Sequence, residues 1–289
     1  LSNDHAVASE TASSQQIEIL RGPAALLYGS GAIGGLVNVV DGRIPTSISK
    51  QLNGEAEIKY ASVNAEKSAS FFLDGSVDDI ALHFDGNHRN TDDYKIPGYA
   101  DASAQSGIKD RLPSSFTRER SLGFGVSLIQ SWGHLGASIQ DMSDSYGIPT
   151  DERSFIDLQQ TRYDIDAAVY RPFLIFDAFK FKLGATDYSH TEKMPDGTPV
   201  TNFKNRALET RATLSHANWN GWEGSVGIQT ENTNFSALAA STGRADTVPT
   251  TRSTSNAIFI VEQKNFGAVI ASGGARFENV ERQPEAQFQ

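Results

Sequence analysis

Arg120-Ser121-Leu122-Gly123-Phe124-Gly125-Val126-Ser127-Leu128 is the stretch that decides how this chain is read. Leu122, Phe124, Val126 and Leu128 fill one set of alternate positions; Ser121, Gly123, Gly125 and Ser127 fill the other. Successive side chains on a strand point to opposite faces, so a period of two separates an apolar face from a small, polar one. The pattern recurs in both directions along the chain. In Glu55-Ala56-Glu57-Ile58-Lys59-Tyr60 the odd positions are charged and the even ones apolar. Tyr163, Ile165, Ala167 and Val169 oppose Arg162, Asp164 and Asp166, and Phe179, Phe181 and Leu183 oppose Lys180 and Lys182. Eleven candidate strands result, near 54–62, 67–77, 79–90, 119–131, 133–145, 160–172, 178–192, 206–217, 222–235, 254–264 and 266–279.

The connections sort as well. Those at 78, 132, 173–177, 218–221 and 265 are short, whereas those at 91–118, 146–159, 193–205 and 236–253 are long and polar; only 63–66 is short on the long side. Tight turns on one side and long loops on the other mark a transmembrane β-barrel. A soluble sandwich has alternating strands too, but no reason to sort its connections by length in every second position. The expected fold is therefore mainly β, an antiparallel meander.

Composition limits the function. The net charge of -10 argues against nucleic acid, whose binding depends on Lys and Arg neutralising phosphates. With no cysteine, disulfides, thiolate metal ligands and thiol nucleophiles are excluded. The longest apolar runs, such as Phe173 to Phe176 and Ile258 to Val261, fall far short of the roughly 20 residues a spanning helix needs. Barrel strands need only about 10 residues each and escape that test. Neither a start Met nor a signal peptide is visible, and both ends read as truncations.

Gln15 to Ile44 differs in kind: QQIEILRGPAALLYGSGAIGGLVNVVDGRI is rich in Gly and apolar residues, with strand-like runs at Ile17–Leu20 and Leu36–Val40. It reads as a small α/β piece. Within it, Gly29-Ser30-Gly31-Ala32-Ile33-Gly34 fits a dinucleotide fingerprint, but that loop should follow a strand and open a helix. Here a helical turn precedes it and a strand follows, so its glycines are read as turn and close-packing positions, with no cofactor.

Ile17-Glu18-Ile19-Leu20-Arg21-Gly22-Pro23, Leu27-Tyr28-Gly29 and Gly34-Gly35-Leu36-Val37-Asn38-Val39-Val40 resemble, in order, the plug signature of TonB-dependent outer-membrane receptors. The resemblance covers about 30 consecutive residues and implies a plug inside a 22-stranded barrel in the outer membrane of a Gram-negative bacterium, surrounded by lipid. It also implies import energised by the TonB–ExbB–ExbD complex, contacted through N-terminal sequence outside this chain. The expected organisation is 1–45, the C-terminal part of the plug; 46–53, a linker; and 54–289, the first half of the barrel. On its own, an eleven-strand half barrel has two open edges and is expected to aggregate.

Asp4-His5-Ala6-Val7, Tyr146-Gly147-Ile148-Pro149, Phe155-Ile156-Asp157-Leu158 and Tyr188-Ser189-His190-Thr191-Glu192-Lys193 look like the zinc-transporting branch of that family. The branch implies that Asp4 and His5 on the plug and Glu192 on the barrel ligate the transported ion, Zn²⁺ or another divalent metal. From the residues alone, carboxylate and imidazole are the strong zinc ligands available to a chain without cysteine. Strand parity carried on from Lys180 and Lys182 turns Tyr188, His190 and Glu192 to the polar face, which adds His190 to the candidate ligands. The branch's loop crowded with His and Asp is replaced here by Pro149-Thr150-Asp151-Glu152-Arg153-Ser154, so capture by that loop is absent or done differently.

The alternative cargo is a ferric siderophore or another metal chelate, for which Tyr94, Tyr99, Phe116 and Arg118 are the candidate grips. No nucleophile elbow or singled-out carboxylate pair is present, and the chain is read as a transporter, not an enzyme. Asp92-Asp93-Tyr94, Asp141 to Asp144 and Asp151-Glu152 are read as solvated loop charge, with weak Ca²⁺ coordination as the alternative.

Overall fold

The computed structural model describes residues 14–285, apart from 30, 31, 33, 102–106, 151 and 174. Asp4 and His5 lie outside the described residues. A two-stranded antiparallel sheet comes first, β1 (Gln16–Leu20) and β2 (Leu36–Val40), with a short 3₁₀ helix at Gly22–Tyr28 between them. The 3₁₀ helix packs against the last two strands of the array that follows.

That array is one sheet of eleven strands in chain order: β3 (Asn53–Ala61), β4 (Glu66–Val77), β5 (Ile80–Asn90), β6 (Thr117–Gln130), β7 (Gly133–Gly147), β8 (Phe155–Phe173), β9 (Phe176–Lys193), β10 (Pro199–Trp219), β11 (Trp222–Ala239), β12 (Ala245–Asn265) and β13 (Ile270–Pro284). Each strand pairs antiparallel with the next, the meander expected from the alternation.

The two faces are inverted relative to a soluble protein. Leu122 (57 % exposed), Phe124 (45 %) and Leu135 (50 %) stand outward, while Ser121, Ser127, His83, Asp85 and Gln140 on the opposite face are buried. Burying polar groups while exposing large apolar ones is costly in water and favourable where the outside is hydrocarbon. Backbone groups in hydrocarbon must all be paired, and the ladder between neighbouring strands does that. Trp132, Tyr170, Phe173, Trp219, Trp222 and Phe266 are exposed beside the short turns, as the aromatic girdle of a membrane interface would be.

Strand lengths depart from expectation. Three of the connections read as long loops are half or more strand: among the described residues the gaps shrink to 148–154, 194–198 and 240–244, and 91–116 remains long. The reason is local. Asp196-Gly197 is an efficient hairpin turn: Gly197 has φ 88°, Met194 N–H donates to the Thr198 carbonyl at 2.9 Å, and Thr198 N–H donates to the Asp196 carboxylate at 2.9 Å. Polar residues that resembled loop are the outward faces of strands that continue beyond the apolar band. Pro249 sits where the β11–β12 register shifts between Phe235 and Ala237, the irregular position at which a strand tolerates proline.

One cluster of buried apolar residues lies on the inner face near the long-loop side. Tyr146, Ile148, Ile156, Leu158 and Tyr188 form it across β7, β8 and β9. It surrounds the candidate site.

Candidate functional site

The cross-strand register builds the site. On the inner face one row runs Asp144, Leu158, His190, Phe203 across β7 to β10, and the next toward the rim runs Tyr146, Ile156, Glu192, Thr201. His190 is buried at 2 % exposure; its ring stacks on Phe203 with centroids 4.2 Å apart, and its Nδ1 shares a 2.8 Å hydrogen bond with the Tyr188 hydroxyl. Glu192 is half-buried and lies on the same face two residues along. The parity carried from Lys180 and Lys182 therefore places Tyr188, His190 and Glu192 as expected, on the inner wall.

Chemically this is an imidazole fixed at one nitrogen, walled by aromatic rings, with carboxylates nearby. Asp144 lies two strands from His190, about 10 Å at the usual strand spacing. Among the described residues no group of three His, Asp or Glu side chains is arranged to hold a metal ion. Phe203 was not singled out from sequence, because it meets His190 only through the register with which the next strand pairs. A cross-strand pairing of β9 with β10, counted back from the Asp196-Gly197 turn, is the signal that would have found it.

The four residues expected to grip a chelate belong to the one long loop or its edge. The Arg118 guanidinium lies 5.4 Å from the Phe116 ring centroid, and the Lys109 ammonium 5.9 Å from that of Tyr99. Phe116 and Arg118 line a cavity of about 610 Å³ together with Asn64, Asp92, Asp93 and Arg111. Tyr94 is fastened through its backbone N–H to the Ser115 hydroxyl at 2.8 Å, and Tyr99 pairs with Lys109. The loop thus brings Phe116 and Arg118 together, ties the Tyr94 backbone beside them between the cavity-lining Asp93 and Lys95, and places Tyr99 against Lys109.

No known family profile matches the sequence. The iron-regulated outer membrane virulence protein of Vibrio cholerae is 33 % identical over 132 residues, 44 % of this chain and 20 % of that protein. The ferric enterobactin receptor PirA of Pseudomonas aeruginosa is 37 % identical over 87 residues, 28 % of this chain and 12 % of the receptor. Among solved structures, the copper transporter OprC superposes with a TM-score of 0.78 at 14 % identity, over 97 % of this chain and 44 % of that one. The fold is that of a partial TonB-dependent receptor barrel. It belongs to the outer membrane of a Gram-negative bacterium, where its relatives reside and where an apolar outer wall is required. The chain spans about half the length of the solved receptor it matches, and its matches to the curated relatives cover still less of them. These proteins are transporters and receptors rather than enzymes.

Proposed function

We propose that this chain is part of an energised importer that carries a metal chelate across the outer membrane, held between a plug and the barrel's inner wall. The observation that carries the reading is the stacked His190–Phe203 pair with Tyr188 on the inner face of a sheet whose outer face is apolar. The half-buried Phe203 ring, backed by His190 on the inner wall, and Arg118 over Phe116 at the loop cavity suit a bulky, anionic, partly aromatic complex. The names of the relatives agree with iron supplied in such a form. The TonB–ExbB–ExbD complex is the proposed source of energy, acting through sequence outside this chain.

A second reading, transport of bare Zn²⁺ or another divalent ion, is favoured by one arrangement. An imidazole ligand is held by a hydrogen bond at its other nitrogen, and Tyr188 supplies such a bond to His190 beside Glu192. Asp4 and His5 would complete that set. Uptake by the whole receptor in cells separates the readings. Import of ferric chelates that falls with Arg118→Ala and His190→Ala, but not with Asp4→Ala or His5→Ala, supports the first. Import of radiolabelled zinc that falls with Asp4→Ala, His5→Ala and Glu192→Ala refutes it in favour of the second.

A further inference from the structure

Behind the site, near the short-turn side, the segment leaving β2 meets the wall through a buried ionic chain. Arg43 is 5 % exposed and Asp85 is fully buried; Arg43 Nε donates to Asp85 Oδ1 at 2.7 Å and Nη2 to Oδ2 at 3.3 Å, a two-pronged pair. Asp85 Oδ1 is also 3.1 Å from His83 Nε2, and His83 Nδ1 is 2.6 Å from Asp74 Oδ1. On the other side, Asp41 braces Arg43 twice, at the guanidinium and at the backbone N–H (3.1 Å). The chain of contacts is Asp41, Arg43, Asp85, His83, Asp74, from the exit segment to β5 and β4.

The wall opposite is cut to receive this segment. A Cβ at Gly125 would lie 1.6 Å from the Arg43 carbonyl oxygen, one at Gly123 would lie 2.4 Å from Arg43 Nε, and one at Gly136 would lie 2.4 Å from Ile44 Cγ2. Gly123 and Gly125 pair with Asp85 and His83 on the neighbouring strand. The missing side chains therefore form a trench beside the carboxylate that holds the guanidinium. A buried ion pair is a poor source of net stability but a strict specifier of register, because only one placement satisfies both charges. The trench and the pair act on the same two residues.

We propose that Arg43, seated in the Gly123–Gly125–Gly136 trench and clamped by Asp85, is the fixed pivot of the plug: rearrangement during import is confined to residues N-terminal to Asp41. This rests on the proposed energised import. It contrasts with the 3₁₀ helix, which touches the wall through Leu26 beside Gly274 and through Tyr28, whose ring centroid lies 4.9 Å from the Arg211 guanidinium, and which has no charged side chain with which to form an ion pair.

Single cysteines at Leu26→Cys and Ile44→Cys, introduced into the whole receptor, test it by maleimide labelling in living cells with and without an active TonB complex. During import, labelling at position 26 is expected to rise several-fold while position 44 stays within about twofold of its resting value. A comparable rise at position 44 overturns the pivot. A silent position 26 overturns the energised reading and the pivot with it, which distinguishes the two failures. In resting cells, Asp85→Asn leaves the guanidinium buried beside a neutral partner and is expected to raise labelling at position 44 about tenfold. Unchanged shielding there also overturns the proposal. Heat-modifiable mobility of the barrel shows that each variant is folded, and Arg43→Leu with Asp85→Leu serves as a second, charge-free variant, expected to label at position 44 more than the parent.

Discussion

Placing a charge on the outer face tests the membrane reading at one residue. Phe124 is 45 % exposed and lies in a row with Phe84 on β5 and Ile139 on β7, all outward and apolar. An Arg at the midplane of a barrel's lipid face costs about 2–4 kcal/mol, which is roughly 30-fold to 1,000-fold in the folding equilibrium. Four residues along the same face, Arg120 is native and donates through Nε to the Ser143 hydroxyl at 2.9 Å. At about 3.4 Å per residue and a tilt of about 40°, Arg120 stands about 10 Å from the level of Phe124. Half of an apolar band about 25 Å tall is about 12 Å, so Arg120 sits near its edge, where an Arg costs little, and Phe124 near its middle. Denaturant titration of the whole receptor refolded into lipid vesicles should show Phe124→Arg less stable than Phe124→Leu by about 3 kcal/mol, with Leu122→Arg in between. If Phe124→Arg and Phe124→Leu agree within about 0.5 kcal/mol, the outer face does not meet hydrocarbon and the barrel reading fails.

Other substitutions probe the inner wall and the rim. Gly125→Val places side-chain atoms where the Arg43 carbonyl lies and should destabilise by at least the ~1–3 kcal/mol of ordinary overpacking, whereas Gly273→Ala, with nothing within 4 Å, should change the melting temperature little. Ile156, fully buried in the apolar cluster, should cost about 2–5 kcal/mol as Ile156→Ala in the same titration. At the β9–β10 turn, hydrogen bonding from the Thr198 backbone holds the Asp196 carboxyl below the usual carboxylate range. A lowered folded-state value means that its stabilisation is present above the unfolded carboxylate's titration, near pH 4, and is lost as pH falls through the folded one. Amide exchange at Thr198 should therefore accelerate below about pH 4 in the wild type, and Asp196→Asn should remove that pH dependence.

How much of this was legible follows from what each feature depends on. The sheet was, because a period of two in residues such as Leu122, Phe124 and Val126 is a local property that survives any tertiary context. The rim was not. Lys204 and Arg252 are polar because their part of the wall has left the apolar band, and polarity was read as loop. The face of His190 and Glu192 could be read by counting along one strand. Its stack on Phe203 could not, since that contact is set by register with the next strand. The Arg43–Asp85 pair is harder still: 42 residues separate its members, and neither glycines nor carboxylates in the sequence say which arginine they await.

The strands are short at one end of the sheet, nine residues in β3 and eleven in β5, and longest at twenty-one in β10 and β12, before β13 falls back to fifteen. With the same rise and tilt, that is about 23 Å of wall at β3 and about 55 Å at β10 and β12. The bilayer's apolar core accounts for all of the first and about half of the second. The described wall is consequently taller at β10 and β12 than at β3 to β5. Among the described residues, the longest connection in the sheet joins β5 to β6, on that low side. On the proposed function, cargo arriving over the low side meets the segment that ends at Phe116, with Arg118 beside it on β6.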